Sequence, residues 1–132
     1  MSDYTKEELD EIWLKGCEVD GLDAATYRKD VVGALMRRDR YGKEGNLGWE
    51  VDHILPIEKL KGYKVPEARW NDMANLRPFN AKNNAAKGDD YPTYSVAVQY
   101  DENLGANKEV NKISTIREDV QAQIASVYAR WL

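Results

Sequence analysis

Two adjacent side chains, Asp52 and His53, have the chemical types that a hydrolytic site needs. His53 is the only histidine in the chain, and a neutral imidazole can take a proton from water because histidine changes charge between about pH 5 and 8. Asp52 offers a carboxylate, which is an oxygen ligand of the kind that Mg²⁺ prefers. An adjacent acid and histidine is common, however, so the pair alone does not identify a catalytic site.

A second polar segment, residues 80–88, combines amides with lysines in the sequence NAKNNAAKG. This composition predicts a short helix that ends at Gly88, because glycine commonly follows the last residue of a helix. Taken by itself, the segment is typical of a solvated helix surface. Neither polar segment decides the function alone.

The elements around these segments are predicted from hydrophobic periodicity. Trp49, Val51, His53 and Leu55 alternate with their neighbours, which predicts a short strand ending at Pro56. Residues 57–74 are predicted to form a loop with a short helix near 68–73. A second short strand over 75–79 leads directly into the helix over 80–87.

The segment before this core, residues 1–42, is predicted to be helical. The capping box at 5–8 opens a first helix, on which Cys17 lies at helical spacing from the preceding aromatic residue and is expected to be a buried thiol. A second helix is predicted from Asp23 to Gly42. Its basic end, residues 37–40, is equally consistent with helix-end electrostatics and with a surface that faces phosphate.

The segment after the core, residues 92–132, is predicted to supply a strand and a helix. Residues 93–100 alternate as a half-buried strand does, and 101–111 are predicted to be a polar loop. A capping box at 115–118 opens an amphipathic helix whose apolar face is either core or a dimer seam, so the oligomeric state stays open. The chain, 1–132, is predicted to be a single α+β domain.

Three segments together, in this order and spacing, resemble the HNH nuclease family. Asp-His-Ile-Leu-Pro at 52–56 is similar to the first motif of that family, Asn-Leu-Arg-Pro-Phe at 75–79 to the second, and Asn-Ala-Ala-Lys-Gly at 84–88 to the third. The same register occurs in the HNH domain of RNA-guided CRISPR effectors. The resemblance covers residues 49–88 and implies a ββα-metal (HNH) core, in which strand, loop, strand and helix follow one another.

The resemblance implies a role for each matching residue. Asp52 and Asn84 would be the two protein ligands of a divalent metal, Mg²⁺ or Mn²⁺. His53 would be the general base that deprotonates the attacking water, with its other ring nitrogen held by a backbone carbonyl. Asn75 would not touch the metal but would tie the loop backbone and hold the histidine in place.

Three cationic side chains near these motifs are expected to contact phosphates: Arg77, Lys82 and Lys87. An exposed helical lysine without a special role is an equally good interpretation of Lys82. For Lys87, capping of the helix end is the alternative.

One departure from the family concerns structural zinc, which many members bind through two Cys-x-x-Cys pairs. Asn80 and Asn83 occupy the places of the second pair, and the single cysteine excludes a multi-cysteine site. We therefore expect no structural zinc. Buried hydrophobic residues should supply the stability that zinc would provide, and the expected ones are Trp49, Trp70, Leu76 and Phe79.

Composition and charge set wider limits. The chain is 42% hydrophobic and 32% charged, which is ordinary for a globular protein, and no apolar run approaches the roughly 20 residues of a membrane-spanning helix. The acidic start of the sequence is unlike a secretion signal, so we expect a cytoplasmic protein of a bacterial or phage-infected cell. The formal charge of −4 divides into −6 over residues 1–27 and +3 over 28–100, which permits nucleic-acid binding in the middle of the chain.

The sequence therefore predicts a metal-dependent endonuclease that hydrolyses phosphodiester bonds in DNA, with RNA left open as a substrate. One alternative is a catalytically silent HNH-fold module that binds nucleic acid or protein. Another is a structural Asp-His pair whose match to the family is accidental. The position of the only histidine at the one place in the motif that needs it favours the enzyme.

Overall fold

The computed structural model describes residues 4–132, and residues 1–3 of the predicted helical segment and domain lie outside this range. The protein has an α+β fold, as predicted, with three antiparallel two-stranded sheets in the described range. No helix within residues 4–132 combines the length and apolar character required to cross a membrane. The helices are α1 (Lys6–Trp13), α2 (Ile57–Gly62), α3 (Ala81–Lys87) and α4 (Glu118–Val127). The paired strands are β1 (Tyr27–Lys29) with β2 (Leu35–Arg37), β3 (Trp49–His53) with β4 (Leu76–Asn80), and β5 (Thr93–Asp101) with β6 (Ala106–Thr115).

The predicted order of elements over residues 49–88 is present. β3 pairs with β4 in a register that sets Asp52 opposite Arg77 and His53 opposite Leu76. The helix α3 follows β4 without a loop, and the Asn80 side chain caps it by accepting hydrogen bonds from the backbone N–H groups of Lys82 and Asn83. Gly88 ends α3 with a φ of 52°, a conformation that glycine adopts without strain.

The connection from β3 to β4 contains more helix and less loop than the sequence predicts. Residues 57–74 contain α2 and two 3₁₀ turns, one at Glu67–Arg69 and one that begins at Met73. The predicted short helix near 68–73 therefore corresponds to turns, and the regular helix lies earlier.

The prediction of a second N-terminal helix from Asp23 to Gly42 is wrong. These residues instead form the hairpin of β1 and β2, and the tight turn between them includes Gly33 with a φ of 93°. The Asp30 carboxylate accepts hydrogen bonds from the backbone N–H groups of Val32 and Ala34, which closes the turn. Such local bonds compete with helical ones, so a stripe of apolar residues at helical spacing was not sufficient evidence for a helix.

The first helix begins as predicted but ends early. Thr5 and Glu8 form the predicted capping box, and α1 ends at Trp13. Cys17 therefore lies beyond the helix, where its backbone pairs with Lys29, and its side chain is exposed. The expectation of a buried thiol is wrong because the helical spacing on which it rested does not extend to this residue.

The C-terminal part contains a strand that the sequence did not reveal. Residues 106–115 form β6, so most of the predicted polar loop over 101–111 is half of a hairpin. The side chains of β6 are largely exposed, and the apolar alternation that signals a half-buried strand is consequently absent. Thr115 belongs to this strand, and the predicted capping box is wrong, since α4 begins at Glu118 without a side-chain cap.

The buried apolar residues form two clusters in the described range. The larger one includes Phe79, Tyr94, Ile116, Ile124 and Tyr128, and Trp70 packs against it. The smaller one includes Trp13, Trp49 and Leu76, with the rings of the two tryptophans 5.1 Å apart. The predicted burial is confirmed for Trp49, Leu76 and Phe79, whereas Trp70 is half-buried at the edge of the larger cluster. The apolar face of α4 packs into the larger cluster, which makes it intramolecular core.

A network of buried polar side chains joins the hairpins to α3. Besides its own turn, Asp30 accepts hydrogen bonds from the Asn80 backbone N–H and from Asn83 Nδ2, both at 3.1 Å. Asn83 Oδ1 in turn accepts from the backbone N–H groups of Ala97 and Val98 on β5. Burial raises the pKa of Asp30, and these N–H donors offset part of the rise.

We predict that Asp30→Asn lowers the free energy of unfolding by about 2–4 kcal/mol, because the new NH₂ group would face N–H donors and leave buried groups unsatisfied. Chemical denaturation followed by fluorescence measures the change. Asp90→Asn, at an exposed position of the same residue type, is the matched control and should change stability by less than about 0.5 kcal/mol. Equal stability of the two variants would contradict the role given to the network.

Candidate active site

His53 lies at the end of β3 and is half-buried. Its Nε2 atom is 2.7 Å from Asn71 Oδ1 and 3.5 Å from the Tyr4 hydroxyl. Because an amide oxygen only accepts hydrogen bonds, this contact places the imidazole proton on Nε2 and leaves a lone pair on Nδ1. The ring is therefore held by a side-chain carbonyl, whereas the resemblance implied a backbone carbonyl.

Asn75 is fully buried and clamps the loop that follows His53. Its Oδ1 accepts from the Leu55 backbone N–H at 2.8 Å, and its Nδ2 donates to the Leu55 carbonyl at 3.0 Å. The Asn75 carbonyl also accepts from the Ile54 backbone N–H. These are the contacts that the predicted loop-tying role requires, although its contribution to catalysis stays a prediction.

Asp52 is buried and bonded to two cations. Its Oδ2 accepts from Arg77 Nε at 2.8 Å, and its Oδ1 accepts from Lys87 Nζ at 3.2 Å. The Lys87 ammonium also donates to the His53 carbonyl at 3.2 Å. Both oxygens of the carboxylate are therefore engaged, and the ion cluster of Asp52, Arg77 and Lys87 fastens α3 to the end of β3.

The side chain of Glu50 enters this region, and the sequence analysis missed it. Residues two apart on a strand face the same side, so Glu50 and Asp52 both face α3. Asn84 on α3 donates through Nδ2 to Glu50 Oε1 at 2.9 Å. The alternation on β3 was the available signal, but it points to Glu50 only once the position of α3 is known.

Glu50 and Asn84 together fit a magnesium or manganese site better than the predicted pair. Both offer oxygen atoms and neither is buried, and Mg²⁺ commonly takes one or two protein ligands and keeps several waters. Asp52 is less accessible to a metal ion than Glu50, because it is buried and each of its oxygens already bonds to a cation. Residues 4–132 contain no group of three or more histidine, cysteine or acidic side chains that could hold a metal.

The three predicted phosphate contacts divide into two kinds. Lys87 has a completely buried side chain and Arg77 is 11% exposed, so both serve Asp52 and are not presented to a phosphate. Burial lowers the pKa of Lys87, and the charge of Asp52 partly offsets this effect. Lys82 is exposed on α3 and keeps its predicted role as an expectation.

In the basic segment 37–40, Arg38–Arg40 form a single 3₁₀ turn and not the end of an α-helix, so the interpretation as capping of the predicted helix no longer applies. Arg37 pairs with Asp39 at 3.1 Å, and Arg38 pairs with Asp10 of α1. Two of its arginines thus have acidic partners within the chain.

Comparison of the chain with protein-family models, curated proteins and solved structures found no match. The residues of the site and their geometry are therefore the basis for interpretation. They comprise an oriented imidazole at the end of β3, a clamped loop beside it, and an amide and a carboxylate where β3 meets α3.

We predict that Lys87→Met lowers the free energy of unfolding by about 3 kcal/mol, since removal of one partner leaves a buried charge poorly compensated. Lys82→Met, on the same helix but exposed, is the matched control and should change stability by less than about 0.5 kcal/mol. Thermal and denaturant unfolding of both variants provide the measurement. A larger loss in Lys82→Met than in Lys87→Met would refute the structural role of the buried lysine.

Proposed function

We propose that this protein is a metal-dependent endonuclease of the HNH type that hydrolyses phosphodiester bonds in DNA, with His53 as the general base. The observation that carries the proposal is the 2.7 Å contact between His53 Nε2 and Asn71 Oδ1. This contact orients the ring and leaves Nδ1 able to accept a proton. RNA stays open as a substrate, and the cytoplasm of a bacterial or phage-infected cell is the setting expected from the sequence.

Residues of this chain can each contribute a different step of the hydrolysis. His53 Nδ1 takes a proton from the attacking water, and the Asn71 carbonyl stabilises the imidazolium that results. Asn75 restrains the loop after His53 and so limits the movement of the ring. Lys82 is available to contact a neighbouring phosphate.

Glu50 and Asn84 would hold a magnesium or manganese ion. When bound, such an ion stabilises the negative charge that develops on phosphate oxygens during hydrolysis. Asp52 lies on the same face of β3 as Glu50 and keeps α3 next to this pair through Lys87. Its role in the proposal is thus to position Asn84.

A second candidate is a silent HNH-fold module that binds nucleic acid or a protein partner without cleaving it. The ion cluster around Asp52 favours this alternative, because both oxygens of the carboxylate already have partners. The His53–Asn71 contact favours the enzyme, since a binding module does not require an oriented base.

We predict that the protein nicks supercoiled plasmid in Mg²⁺ or Mn²⁺ and that His53→Ala lowers the rate by about 10²–10⁴-fold, as expected for loss of a general base. Chelation should abolish nicking. If the wild type and His53→Ala are equally inert, or equally active, His53 is not the base and the binding module becomes the better interpretation.

We predict that Glu50→Gln and Asn84→Ala each raise the Mg²⁺ concentration for half-maximal nicking by about tenfold, because each removes an oxygen ligand or its charge. Titration of nicking rate against Mg²⁺ gives this value. Glu109→Gln, at an exposed position on β6, is the matched control and should leave the titration unchanged. An unchanged titration in both site variants would reject this ligand pair while leaving the role of His53 intact.

A further inference from the structure

A cavity of about 350 Å³ adjoins the candidate site, in the size range of ligand pockets, which begins at about 300 Å³. Ile54, which follows His53, lines it, and so does Leu76, which is opposite His53 on β4. Arg77, the partner of Asp52, lines it as well. The cavity therefore shares its wall with the strand ends that carry the candidate active site.

The charged side chains around this cavity are all cations in the described part of the chain: Lys15, Arg77 and Arg117. Lys15 Nζ donates to the carbonyls of Met73 and Leu76, which leaves one of its three donors for a ligand. Arg117 is exposed at the rim and pairs there with Asp119. Because none of the described wall residues carries a carboxylate, the cavity favours an anion over a cation.

Arg77 lines the cavity and has one side-chain donor without a partner in the described range. Its Nε serves Asp52, but its Nη2 is buried and has no hydrogen-bond partner within residues 4–132. A buried donor without a partner costs free energy, so such atoms require an explanation such as a missing ligand or water. Because this atom has almost no accessible surface, a molecule in the cavity reaches it only if the Arg77 side chain shifts.

The rest of the wall suits a flat, apolar body with a few polar edges. Ile54, Pro78 and Ile116 supply apolar surface, and Tyr94 supplies an aromatic ring. Ser114 and Gln123 add side chains that can both donate and accept hydrogen bonds. A planar base attached to an anionic phosphate combines these properties.

We propose that this cavity binds one nucleotide, with its base against the apolar wall and its phosphate near Lys15 and Arg117. The proposal rests on the nuclease function, because it identifies the cavity as the place where a nucleotide close to the scissile phosphate is held. The same chemistry is offered by a free nucleoside monophosphate and by a nucleotide extruded from a strand. The experiment distinguishes these two sources.

The test uses calorimetry to measure how tightly the full chain binds thymidine 5′-monophosphate and a short single-stranded oligothymidylate. The buffer contains a chelator. Val120→Trp, which fills the cavity, and Arg117→Glu, which reverses the charge at its rim, should each weaken binding by about tenfold or more. Val127→Trp and Arg130→Glu, on or just beyond α4 and outside the cavity wall, are the matched controls and should bind as the wild type does. Gln123→Trp, at an exposed position of the wall, replaces Val120→Trp if that variant does not fold.

If the cavity variants bind the free nucleotide more weakly than the wild type does, the proposal is supported and the site accepts monomers. Weakened binding of the oligonucleotide alone also supports it and identifies a strand-borne nucleotide. The proposal is overturned if the wild type binds neither ligand, or if the cavity variants bind both as the wild type does. Plasmid nicking is assayed separately. If the protein binds the nucleotide but shows no nicking that depends on His53, the nuclease function is rejected and the cavity proposal stands. If the protein nicks plasmid but the cavity variants bind nucleotide as the wild type does, the cavity proposal is rejected and the nuclease function stands.

Discussion

Asp30 is a carboxylate removed from water in the turn between β1 and β2, and charge in such a position requires strong compensation. Four N–H groups supply it, two from its own turn, one from the backbone of Asn80 and one from the Asn83 side chain. Asn80 caps α3 and Asn83 lies on α3, so the helix that faces the candidate site is held by this carboxylate. The placement of Asn84 and Lys87 on the same helix depends in turn on that anchor.

The ion cluster of Asp52, Arg77 and Lys87 repeats this arrangement at the other end of α3. Lys87 joins the carboxylate on β3 to the carbonyl of His53, so the helix and the strand end cannot move independently without breaking a buried contact. Buried ion pairs of this kind contribute little net stability but are costly to break, and they consequently favour one arrangement over others. The imidazole, the clamped loop and the Glu50–Asn84 pair are thereby kept in one relative position.

The central order of strand, loop, strand and helix was predictable because its signals are local. The alternation around Val51 and the terminal glycine at Gly88 each depend on neighbouring residues only. The hairpin at residues 27–37 was not predictable in this way, since its apolar residues also match helical spacing. Its decisive contacts run from Asp30 to residues about fifty positions later.

The candidate site likewise combines features that local sequence predicts with features that depend on contacts between distant residues. The types and spacing of Asp52 and His53 indicate chemistry, and Asn75 could be given its loop contact from the motif. The partners of these groups could not be predicted, because Asn71 and Lys87 reach them only after the chain folds back. Burial of Lys87 changes a predicted phosphate contact into an internal counterion, and exposure of Glu50 makes an unremarked strand residue a candidate ligand.

In the hairpin of β5 and β6, the long strand β6 has mostly exposed side chains. This exposure has a consequence for self-association of the protein. A sheet of two strands has two open edges, and unpaired backbone groups at an edge can pair with another molecule. β6 carries Lys108, Glu109 and Lys112 along this edge, and charged side chains of this kind discourage such pairing. Ile113, which is 69% exposed, interrupts that protection and marks the point where aggregation through this hairpin would begin.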